Sequence, residues 1–249
     1  MNIQEILGHH ILDHALHLKL FGVALPVTVH TVYMISISLA LIFLLPLIMR
    51  SNARLLKSAV EGFVVFVRED IVIPNMGEDG RRFVPFFATL LIFLLFANYI
   101  GFIPGSRTIT ANISITLGMA AVSGMMIIFT SIRTNGFAGF LKTFIPHGVP
   151  WPLIPLLFPL EVISLIIKVF VLAIRLFANM VAGHMGILVL FCFIFIMALK
   201  SAAAGYGAIA PVLVMTLFLT VLELLVAAIQ AYVFTLLTAI FTGLQMHAH

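Results

Sequence analysis

With 249 residues, 63% of them hydrophobic and 9% charged, the chain lacks the charged surface of a soluble domain, where about 25% is usual. Its apolar runs are continuous rather than alternating, which selects an all-α integral membrane protein over a β-barrel. The single Cys192 excludes an internal disulfide, and a net charge of +4 scattered over loops gives no sign of nucleic-acid binding.

Taken in chain order, residues 1–26 are mixed in character and hold His9, His10, His14 and His17. His10, His14 and His17 share a helical face. An amphipathic helix on the membrane surface is expected there, with a metal site as the alternative; no cleavable signal is evident. Residues 27–49 form the first span. The basic loop 50–82 follows, with Arg50, Arg54, Lys57, Arg68, Arg81 and Arg82, and the positive-inside rule puts it on the cytoplasmic side. Within it, Leu55, Leu56, Ala59, Val60, Phe63 and Val67 recur at helical spacing, predicting a surface helix over 53–67 that Pro74 through Gly80 ends. A helical hairpin is predicted over 84–132. Its second span, Val84 to Ile103, closes in a turn around Asn98 and Pro104; its third starts near Asn112 and Ser114 and runs to Ile132. Residues 136–152 read as a Gly- and Pro-punctuated connection.

The stretch 154–198 has no proline after Pro159 and can make a helix of about 40 residues, roughly 60 Å long. A bilayer core is about 30 Å thick, so this helix must tilt strongly, project from the membrane, or break, with Gly183 or Gly186 the places for a kink. Glu161, Ser164, Lys168, Arg175 and Asn179 project onto one stripe about 60° wide. A small-residue loop is expected from Lys200 to Ala210, then a second over-long helix over 209–246, with Thr216, Glu223 and Gln230 on one line. About five hydrophobic helices result, in a single membrane domain over 1–249, with the N-terminus outside and the C-terminus inside. No internal repeat is visible, which argues against an inverted-repeat transporter.

Placing Lys or Arg at the centre of a membrane helix costs about 2.5–3.5 kcal/mol, so the two stripes must face each other, a partner or water. Facing stripes can enclose an ion path; interhelical tethering is the alternative for Ser164, Thr216 and Gln230. Arg175 cannot escape its charge by losing a proton. His184 lies nine residues beyond Arg175, about 180° around the helix, and so points away from it.

The run Arg175-Leu-Phe-Ala-Asn179-Met-Val-Ala-Gly-His184, with Glu223-Leu-Leu-Val-Ala-Ala-Ile-Gln230-Ala-Tyr-Val-Phe downstream, resembles subunit a of the F-type ATP synthase membrane (Fo) sector. The likeness covers most of the chain beyond Arg82 and takes in Glu161, Ser164, Lys168, Asn98 and the turn from Asn112. It implies a non-catalytic, ion-translocating stator subunit without cofactor or bound metal. Its partners would be the c-subunit ring, the peripheral-stalk b subunits and the F1 sector, in a bacterial inner membrane or, alternatively, a mitochondrial one. Arg175 would face the ring's carboxylates and separate two aqueous half-channels. Asn179, His184, Glu223 and Gln230 would line the access half-channel, with Asn98, Asn112 and Ser114 as further members. Glu161, with Ser164 and Lys168 on the same stripe, would lie towards the outlet. The long tilted helices would follow the ring. Many bacterial members carry an acid at the His184 position and a histidine at the Glu223 position, so acid and base are exchanged here; if the two face each other across the long helices they would relay protons as a pair, the alternative being that His184 is a satisfied packing histidine. An unrelated channel or transporter, or a purely structural subunit, remains the competing expectation.

Overall fold

The computed structural model describes residues 15–20, 23–102, 109–144 and 153–246. Within these, five helices are long and apolar enough to cross a membrane, the all-α membrane class expected from composition. The N-terminal segment departs from expectation. Ala15–Leu20 (β1) and Val23–Thr28 (β2) form an antiparallel hairpin in which His17 is opposite Pro26. The cause is legible afterwards: Leu16, Leu18 and Leu20 alternate with His17 and Lys19, a period of two rather than 3.6. The shared helical face proposed for His10, His14 and His17 therefore does not extend to His17; His9, His10 and His14 lie outside the described residues.

Helix α1 (Val29–Arg50) leads to α2 (Arg54–Phe66), a π-helical turn (Val67–Val72) and α3 (Ile73–Met76). Helix α2 forms within the 53–67 stretch where the periodicity predicts a helix, and none of its residues is buried. Pro74 does not break the segment, because it sits in the first turn of α3, where a missing N–H is tolerated. The break falls at Gly77, whose φ of 67° suits glycine, and a 3₁₀ segment (Glu78–Phe83) then leads into α4 (Val84–Tyr99). Helix α5 (Ile113–Lys142) starts on Asn112, whose side chain accepts the Ser114 N–H at 2.9 Å. It continues ten residues past the expected end at Ile132, bending at Gly136 (φ 72°).

Helix α6 (Ile154–Lys200) runs 47 residues without the break entertained at Gly183 or Gly186. Helix α7 (Ala202–Met246) starts two residues later, so the small-residue loop expected over 200–210 is reduced to an extended Ser201. The alanines and glycines there serve close packing: a Cβ on Gly205 would strike Ala198. The contacts Ala198–Gly205, Gly186–Leu219, His184–Glu223 and Lys168–Phe241 set an antiparallel register along the pair.

Lipid is as apolar as a core, so close packing and polar tethers hold these helices together. Backbones approach most closely where Gly243 of α7 lies on the Asn75 carbonyl of α3, and Gly124 of α5 admits Val169 of α6. The main core joins Ile71, Val72, Phe87, Leu94, Leu172, Leu176 and Phe234, all at 1% exposure or less. Gln245 fastens the end of α7 to α5: its carbonyl accepts from Ser131 Oγ (3.2 Å) and Asn135 Nδ2 (3.0 Å), and its side-chain oxygen from Thr143 Oγ1 (2.8 Å). Most of the surface of α6 and α7 is left outside this core.

Candidate functional site

The polar stripe of α6 follows the border between the α6–α7 seam and the outer face. Glu161, Ser164, Lys168 and Asn179 are half-buried, and Arg175 is exposed. Around Arg175, one and two helical turns away or adjacent, stand Ile167, Val171 and Ile174, each 39–52% exposed. Among the described residues Arg175 has no ion pair, hydrogen bond or aromatic partner, whereas Lys168 Nζ lies over the Phe241 ring at 5.5 Å from its centroid.

On the other side of α6, His184 meets α7. Its Nδ1 is 3.2 Å from Glu223 Oε1, the imidazole side chain 37% exposed and the carboxylate side chain 7%. Two neighbours make this approach possible. Gly183 has no side chain where the Glu223 carboxylate lies against the α6 backbone, and a Cβ there would overlap it. Phe102, just beyond α4, sets its ring edge-on to His184 at 6.4 Å.

The same polar line continues along α7. Asn98, fully buried on α4, donates from Nδ2 to the Ala227 carbonyl at 3.1 Å, one turn from Glu223. Gln230 is 7% exposed. Asn98 Oδ1, Glu223 Oε2, Gln230 Nε2 and Thr216 Oγ1 are buried without a hydrogen-bond partner among the described residues. Native interiors rarely leave such groups unsatisfied, so these four atoms call for a polar partner.

The structure places Asn98, His184, Glu223 and Gln230 in one region of the α4–α6–α7 seam. Asn112 and Ser114 are elsewhere: they line a groove of about 660 Å³ between α1, α4 and α5, together with Thr31 and Ser38. Asn112 is also committed to capping α5, which accounts for its place in the turn. The sequence reading missed Gly183 and Phe241. In the sequence Gly183 signals only a place for a kink, and Phe241 carries no signal, because the role of each depends on the residue facing it on the neighbouring helix.

Fold and site together define a multi-pass helical membrane protein with an acid–imidazole pair inside its longest hairpin and an arginine outside it. The family profile described as the ATP synthase A chain matches residues 31–243. The chain is 44% identical over 186 residues to ATP synthase subunit a of Gluconobacter oxydans, covering 75% of this chain and 74% of that protein. It is 37% identical over 237 residues to the subunit a of Parvibaculum lavamentivorans, covering 92% and 88% of the two chains. Against the subunit a of Anaeromyxobacter dehalogenans (strain 2CP-1), 42% identical over 194 residues, the match covers 49% of the relative's length. The chain belongs to the ATP synthase A chain family.

Proposed function

We propose that the chain is the stator ion-channel subunit of an F-type ATP synthase, carrying protons to and from a rotating ring of carboxylate-bearing c subunits. The observation that carries this reading is Arg175: a permanent cation on an exposed apolar face, without a partner among the described residues. Lipid alone is a costly neighbour for that charge, and an ionised carboxylate of an adjacent subunit is the fitting one. A ring carboxylate is favoured neutral when surrounded by lipid and ionised beside a cation, so each would release its proton on reaching Arg175.

In this reading the seam of Asn98, His184, Glu223 and Gln230 is the access half-channel, with Asn179 between it and the arginine. Glu161, Ser164 and Lys168 lie towards the outlet. Asn112 and Ser114, in their separate groove, would serve only as an outer vestibule. His184 and Glu223 relay protons as a pair. A potential of 100 mV supplies about 2.3 kcal/mol per charge moved. The basic loop 50–82 faces the cytoplasm, the N-terminus lies outside, and the bilayer is a bacterial inner membrane. The b subunits and the F1 sector complete the complex.

Arg175→Ala tests the reading. Ion-driven ATP synthesis in membranes carrying the variant is expected to fall to background, with the c ring and F1 still co-purifying. Synthesis at the wild-type rate would refute it.

A further inference from the structure

The turn between α1 and α2 holds a second set of cations that the ion path does not use. Arg50 ends α1, Arg54 opens α2, and Lys57 follows one turn later. All three are exposed, and none has an ion pair, hydrogen bond or aromatic partner among the described residues. The other cations of this loop are engaged: Arg68 with Glu69 at 2.6 Å, Arg81 with Glu78 at 2.6 Å, and Arg82 with the Phe83 ring at 5.0 Å. The nearest acid along α2, Glu61, forms no ion pair with Lys57. Arg54 and Lys57, with Ser51 and Asn52, line an open cleft of about 510 Å³.

The surroundings identify the occupant. Phe43 and Leu47 on α1 are 71% and 65% exposed and stand on the stripe that Arg50 closes. Beyond the turn, Leu55 is 88% and Leu56 54% exposed. On a helix long and apolar enough to span a membrane, this exposed apolar stripe thus leads into a polar, cationic cleft at the helix end. We propose that this cleft binds the phosphodiester headgroup of an anionic phospholipid, with its acyl chains along Phe43 and Leu47. Arg54 and Lys57 meet the phosphate, Arg50 adds charge at the glycerol level, and Leu55 and Leu56 enter the headgroup boundary. An acidic segment of another subunit would satisfy the cations and leave the apolar track unused.

The full-length chain, purified in a neutral maltoside, is titrated with dioleoylphosphatidylglycerol or dioleoylphosphatidylcholine and read by native mass spectrometry. Phosphatidylglycerol is expected to stay bound under activation that strips phosphatidylcholine. Combining Arg50→Gln, Arg54→Gln and Lys57→Gln should lower its retention several-fold, to the phosphatidylcholine level, while Arg81→Gln changes nothing. Arg54→Gln and Lys57→Gln alone should each lower retention, which covers the case of a poorly folded triple variant. Millimolar inorganic phosphate should not displace the lipid. Equal retention by wild type and variants, equal retention of the two lipids, or displacement by phosphate each overturns the proposal. So does a triple variant that keeps its lipid and instead loses a partner subunit from the assembled complex. Lipid retention does not read ion transport, so this outcome stands apart from that of the channel reading.

Discussion

At the scale of single residues, the site depends as much on a missing side chain as on those present. Gly183 lets the Glu223 carboxylate lie against α6 beside His184, and a methyl group at that position must displace it. Gly183→Ala is therefore expected to cut ion-driven synthesis several-fold without loss of helicity. Gly62→Ala, at a position with open space on α2, should leave synthesis unchanged and stabilise α2 by up to about 1 kcal/mol. Synthesis rates and circular dichroism of the two variants check this. The conspicuous ionisable residues were legible in the sequence because charge inside an apolar run needs a reason. Gly183 was not, since its meaning depends on what faces it across a helix boundary, and sequence periodicity does not report a facing residue. The same gap explains Lys168: its aromatic neighbour, Phe241, is 73 positions away.

At the scale of elements, the α6–α7 hairpin sets the geometry. His184 and Glu223 face each other at 3.2 Å, which meets the condition on which pairing of the exchanged acid and base depends. His184→Glu and Glu223→His should each impair synthesis, because each places like groups in one buried seam. The double exchange should recover a substantial part of it; a double variant no better than the worse single one, with assembly confirmed, would show that the sites do not act together. Helix lengths give a second expectation. Helix α6, with 47 residues, is about 70 Å long and continuous through Gly183 and Gly186. Its axis over 163–190 should stand more than about 30° from the membrane normal in the assembled complex, measured by electron microscopy in a lipid disc. Long apolar helices were readable because composition and proline spacing are local. The hairpin of β1 and β2 was misread because a polar residue every second or fourth position fits both periods in so short a stretch. The Ser201 joint was misread because Ala and Gly signal a loop in one setting and tight helix packing in another.

At the scale of the whole molecule, polar groups are hidden on one side of the long hairpin and presented on the other. The buried share of α6 within its most apolar window is only 6%, so most of this helix is left for lipid or a neighbouring subunit. The resemblance read from the Arg175 and Glu223 runs pointed to the family to which the chain belongs, because those runs combine rare residues at fixed spacing. It gave no account of how α3 and the π-helical turn before it brace α7, where Gly243 lies on the Asn75 carbonyl and Ile71, Val72 and Met76 share a core with Phe234, since those residues are far apart in the sequence.

The joint at Ser201 bears on biogenesis. Helix α6 carries Glu161, Lys168, Arg175 and His184 into the bilayer, and the groups that cover part of this polarity, Phe241 and Glu223, are on α7. One extended residue separates the two helices, too short a tether for independent insertion events. The pair is therefore expected to leave the insertion machinery together. Chains truncated after Ser201 and released from the ribosome into membranes should leave the 154–200 segment accessible to protease, whereas chains extended through Met246 should protect it, a difference that a protease-protection assay on the released chains would read directly.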